Sequence, residues 1–141
     1  MISRVQAGGF YIDQKGQRQQ FPLMTTPTFH ELHQVYFKHF SFEGVLEISK
    51  HFESGEKQTL ELSFCSSRFL LSIRVIASDG TITFYTMNGM QEDRQKIKYF
   101  MGEPFPSYCV VSDLNLVFSV VSDFLENNSD EVSDYFVLEE F

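Results

Sequence analysis

From Tyr99 to the last residue the chain contains no lysine and no arginine, although that stretch carries nine carboxylates. Tryptophan is absent throughout, cysteine occurs twice and proline four times. Each scarcity argues against something. Cys65 and Cys109 each sit in an apolar run and outside any paired ligand spacing, which speaks against a zinc site or a disulfide scaffold; both are expected reduced and buried. Without a proline-rich or low-complexity tract there is no linker to divide the chain, so residues 1–141 are expected to form a single domain of ordinary size. No apolar run approaches the roughly 18 residues of a membrane span. The start, Met1-Ile2-Ser3-Arg4-Val5, lacks the apolar stretch of a secretory signal, so a cytoplasmic location away from membranes is expected. Eleven dispersed bases facing nineteen acids cannot replace the counterions of a phosphate backbone, and direct nucleic-acid binding is not expected.

The distribution of charge says more than its total. The residues before Tyr99 hold all eleven bases and the other ten acids, so the formal charge of −8 belongs almost wholly to the C-terminal third. Concentrating one sign on one segment builds a field that steers partners of opposite sign, here a basic protein. Sixteen phenylalanines supply the bulk of a core, because each ring buries a large apolar area. The other use of such rings is an exposed contact patch.

The periodicity predicts an α+β fold: an antiparallel sheet with two or three helices packed on one face. Gly8 to Asp13 reads as a strand, Gln14 to Gln17 as a turn, and Arg18 to Met24 as the returning partner. Thr28, three residues before Glu31 and one after Pro27, caps a helix over 28–40 whose apolar face is Phe29, Leu32, Val35, Tyr36 and Phe40. Over 42–52, Phe42, Val45, Leu46, Ser49 and Phe52 fit a second helix closed by Gly55, while Val45 to Ile48 fits a strand equally well. From Lys57 the period is two, giving strands over 60–64, 68–77, 81–87 and 96–101, with turns at Ser78-Asp79-Gly80 and Asn88-Gly89. A last helix over 113–126, with Ser112 as its cap, carries the stripe Leu114, Val117, Phe118, Val121, Phe124 and Leu125. Phe118 and Val121 are expected to be buried. A polar loop and a strand from Tyr135 follow.

Constellations for catalysis are thin. His30 and His33 share a helix face at a spacing that permits two metal ligands, but a third is missing, because His39 lies six residues on and turns elsewhere. Ser66 and Ser67 have no local base, neither cysteine begins a helix, and Gly8-Gly9 lacks the rest of a phosphate-binding fingerprint. Hence no catalytic residue, no metal and no cofactor are expected. Aromatics beside acids in the C-terminal third, Tyr99, Phe100, Phe105, Tyr108, Tyr135, Phe136 and Phe141 among them, fit a protein interface with aromatic anchors in a charged rim. The contact residues expected are Asp123, Glu126, Asp130, Glu131, Asp134, Tyr135 and Phe136.

From Lys57 onward the order of elements resembles the small bacterial immunity proteins of contact-dependent growth inhibition and related polymorphic toxin systems. The likeness lies in the hairpin Phe69 to Tyr85, the strand Ile97-Lys98-Tyr99-Phe100-Met101, the stretch Glu103-Pro104-Phe105-Pro106, the aliphatic helix Leu114 to Leu125, and the terminal aromatic strand. Many such proteins carry a tryptophan where Tyr135-Phe136 stands here. The resemblance implies stoichiometric blockade of a cognate toxin domain with a basic surface, a nuclease being the common case, and no enzyme activity. Two other readings stay open: a small enzyme using surface carboxylates or His30 and His33, and a general interaction adaptor.

Overall fold

The computed structural model describes residues 1–87, 97–106 (of Pro106 the backbone only) and 109–139. The Asn88-Gly89 turn, Lys96, Tyr108, Glu140 and Phe141 lie outside these. Eleven strands are described: β1 Ile2–Ile12, β2 Arg18–Gln20, β3 Met24–Thr25, β4 Glu43–Phe52, β5 Lys57–Cys65, β6 Arg68–Ile76, β7 Ile82–Met87, β8 Ile97–Phe100, β9 Glu103–Pro106, β10 Val110–Val111 and β11 Phe136–Leu138. They are accompanied by two α-helices, α1 Phe29–Val35 and α2 Leu114–Glu126, and a 3₁₀ turn at Phe37–His39. The sheet therefore dominates. Residues 43–52 are strand, so there is no second α-helix between α1 and α2 among the described residues and Gly55 caps none. It closes a turn instead, at φ +95°.

Local chemistry starts and stops these elements as it should. The Thr28 hydroxyl accepts from the Glu31 amide while the Glu31 carboxylate accepts from the Thr28 amide, so two orphan donors of α1 are satisfied reciprocally. Asp113 caps α2, accepting from the amides of Asn115 and Leu116; Ser112 stands one residue too early for that role. The Asp13 carboxylate closes the β1–β2 turn by accepting from the Lys15 and Gln17 amides. β1 runs far beyond the expected Gly8–Asp13, because its N-terminal half lies along β4.

The main sheet is antiparallel in the order β11-β7-β6-β5-β4-β1-β2, with β3 alongside β1 and β10 alongside β6. β8 and β9 form a separate hairpin. Pro104 and Pro106 are two apart, so both can turn their donorless nitrogens away from β8 and blunt the outer edge. Inward positions align in register across the strands: Ala7, Ile48, Leu60 and Ile73 form one row, and Leu46, Leu62 and Leu71 the next. Leu32 of α1, Tyr36 just after it, and Val117, Val120, Val121 and Phe124 of α2 join the same buried cluster. The Tyr36 hydroxyl donates to the Pro22 carbonyl, and burial pushes its pKa up to about 12.

Phenylalanine is mainly a core residue here. Nine of the sixteen are buried, and Phe84 is the one described ring on the exposed side. Phe118 is half-buried rather than buried: it lies against Phe29, His33 and Phe37 at 5.2–5.7 Å between centroids, capping the junction of the two helices. Val120 is buried, whereas Leu114 is 42% exposed and outside the stripe. The glycine pair near the start also finds its reason. Gly9 sits at φ +145°, where a Cβ would come within 2.0 Å of the Val45 carbonyl oxygen across the β1–β4 pairing. Cys109 is buried but Cys65 only half so, because its odd position in β5 falls on the face away from the core; neither is in a disulfide.

Candidate functional site

Position parity in β4 produces an unusual event. The inward residues alternate as Gly44, Leu46, Ile48, Lys50 and Phe52, so a lysine enters the core face. Lys50 is 1% exposed. An unpaired ammonium there would carry a large desolvation cost. Its Nζ donates instead to the carbonyls of Phe124 and Asn127, each at 3.1 Å, and lies 4.1 Å from the centre of the Phe124 ring. These carbonyls belong to the negative end of α2, whose last turn contains no base of its own. The sheet thus supplies the cation that the helix sequence lacks. Burial pulls the Lys50 pKa down to about 8, with the negative charge of Asp123 opposing the shift.

Beyond that helix end the chain ties itself into a compact loop. The Asn127 side-chain oxygen accepts from both the amide and the hydroxyl of Ser129, and its amide nitrogen donates to the Glu131 carbonyl at 2.9 Å. The Glu131 amide donates to the Ser129 hydroxyl. Gln58, the cross-strand neighbour of Lys50, donates to the Asp130 carbonyl at 2.6 Å. The loop and the helix end enclose a cleft of about 550 Å³ lined by Asp123, Asn127, Ser129, Glu131, Val132, Ser133, Asp134 and Tyr135.

Four of the seven residues expected to contact a partner, Asp123, Glu131, Asp134 and Tyr135, line this one cleft. Glu126 is exposed on α2 outside the lining, where its carboxylate accepts from the Ser122 hydroxyl. Asp130 is exposed nearby. Phe136 is not a surface anchor. It pairs with Met87 on β7 and packs into the core at 6% exposure, because adjacent strand residues face opposite ways. Lys50 and Gln58 escape sequence reasoning, since nothing local distinguishes an inward lysine from a solvated one.

The other constellations remain apart. His30 and His33 are both exposed, the His33 ring resting on Phe37 and Phe118. Among the described residues no three histidine, cysteine or carboxylate side chains are grouped to hold a metal ion. His39 stacks on Tyr11 with centroids 4.1 Å apart, and its pKa is lowered by burial and then by Lys38. On the sheet face away from the core, Glu47 and Glu61 are direct cross-strand partners. The Glu61 carboxyl is raised by burial and then by the Glu47 charge, while Arg74 opposes the shift. Among the described residues no helix is long and apolar enough to cross a membrane.

No curated protein matches the chain. The fold is similar to the crystal structure of a hypothetical protein from Neisseria gonorrhoeae, with a TM-score of 0.71 and 22% identity over 86% of each chain. At that identity the likeness speaks to the fold alone. The sequence match is more decisive: residues 4–135 fit DUF6911, a family of unknown function, and the chain belongs to that family.

Proposed function

We propose that this protein is a cytoplasmic immunity protein that neutralises a cognate toxin domain by stoichiometric blockade. The observation that carries the reading is a single cleft lined by Asp123, Glu131, Asp134 and Tyr135. A cleft lined by three acidic residues and a tyrosine, at the negative end of a helix, suits a lysine or arginine side chain. Lys50, the base nearest that helix end, is already committed to the Phe124 and Asn127 carbonyls. A toxin that acts on nucleic acid carries a basic surface for phosphate, so an acidic inhibitor is its physical complement, and the inhibitor itself needs no affinity for nucleic acid. In this reading α1 and α2 back one face of the sheet in an α+β domain, and the end of α2 presents the contact surface.

The test takes the C-terminal domain of a large secreted toxin encoded beside this chain and measures binding across a range of salt. A one-to-one complex should form, with an association rate that falls as salt rises, because exposed charges are screened over about 8–10 Å. Replacing Asp123 and Asp134 by Asn and Glu131 by Gln should slow association and flatten its salt dependence. Neutralising Glu126 and Asp130, outside the lining, should do so less. Unchanged affinity and salt slope in the triple variant would reduce the cleft to a solvated face. Failure of the toxin domain to bind would overturn the immunity reading.

A further inference from the structure

We infer that Lys50 and Gln58, acting from the core face of the sheet, clamp the segment 127–131 and thereby set the shape of the acidic cleft. The two residues are paired across β4 and β5, so their side chains leave the sheet side by side. Both are buried, at 1% exposure each. Each donates to main-chain carbonyls of the distant chain: Lys50 to Phe124 and Asn127, Gln58 to Asp130. Gln58 also donates to the Glu56 carboxylate at 3.2 Å, which fixes its amide. The three carbonyls span the end of α2 and the loop that forms one wall of the cleft.

A position selected only for core stability would be better filled by an apolar residue. Exchanging buried charge for a well-packed hydrophobe is often neutral or stabilising. Lysine and glutamine at these inward positions instead make the loop depend on the sheet. The carbonyls they hold belong to backbone that has few other anchors, since the remaining bonds of 127–131 come mostly from its own Asn127 and Ser129 side chains. Asp123 joins the helix end to the arrangement, for its charge supports the Lys50 ammonium while its side chain lines the cleft.

This inference deepens the proposed function and rests on the cleft being the contact surface, but its own test needs no partner. Native-state hydrogen exchange is followed at the Asn127, Ser129 and Glu131 amides, together with the denaturant midpoint, in the full chain and in Lys50→Met. The expected result, at one fixed pH, is a loss of protection of about tenfold or more at these amides relative to the core strands, once any shift of the midpoint common to all amides is allowed for. Protection at 127–131 equal to that of the parent overturns the clamp. A loss of protection that is equal at 127–131 and in the core strands overturns it too, since that is the mark of an ordinary core residue. If Lys50→Met fails to fold, Gln58→Met, which releases the Asp130 carbonyl and the Glu56 carboxylate, decides the question by the same measurement at Ser129 and Glu131. A clamp that fails here leaves the toxin reading standing, and a toxin that fails to bind leaves the clamp standing.

Discussion

Lys50 gives the protein an alkaline stability signature. Its pKa in the folded chain is about 8, against an ordinary 10.5, because burial disfavours the ammonium more than the charge of Asp123 supports it. Between those two values the unfolded chain binds the proton and the folded chain has released it. Stability must therefore rise with pH across that window. Below pH 8 the full cost of burying the charge is present, about 3 kcal/mol from a shift of this size. Between pH 7 and pH 10 about 2.5 kcal/mol of it should be recovered. Tyr36, with a folded pKa of about 12, acts in the opposite direction, but only as pH rises above its ordinary 10. Urea unfolding at half-unit steps from pH 7 to 10, on the parent and on Lys50→Met, isolates the lysine from other groups. The parent should gain stability relative to the variant with a slope approaching 1.4 kcal/mol per pH unit near pH 9. Parallel pH profiles for the two proteins would show that Lys50 does not lie buried against the end of α2.

Two further substitutions test the backbone. Gly9→Ala should destabilise by about 2–4 kcal/mol in urea unfolding, since a methyl at φ +145° meets the Val45 carbonyl; an unchanged midpoint would mean that β1 does not cross β4 so closely. Ser66 and Ser67, both at positive φ, form the two-residue turn between β5 and β6, with their amides donating to the Phe42 and Phe40 carbonyls. Ser67→Gly keeps those bonds and removes the steric penalty, so it should raise stability by about 0.5–1 kcal/mol.

Much of this protein could be read along the chain because the signals were local. A threonine three residues before a glutamate caps α1 whatever surrounds it. Ser78-Asp79-Gly80 turns β6 into β7, with the Asp79 carboxylate accepting from the Thr81 amide. The base-free C-terminal third needed only counting, and so did Val117, Val121 and Phe124 of the α2 stripe, though not its ends. Residues 42–52 resisted for a physical reason. The inward positions of β4 include Gly44 and Lys50, so strand alternation is interrupted, while Phe42, Val45, Leu46, Ser49 and Phe52 happen to repeat at helical spacing. Only pairing with β1 on one side and β5 on the other decided for strand, because those neighbours satisfy every second backbone group.

Tertiary structure alone also decided which C-terminal groups meet. Sequence established that acids and aromatics crowd the last third of the chain, since charge and composition survive any folding. It did not establish that β11 pairs with β7, which turns Phe136 inward and leaves Tyr135 at the cleft. Nor could it place Lys50, 74 residues before Phe124, beneath the end of α2. Side-chain direction in a strand depends on register, and register is a property of the pair of strands rather than of either one.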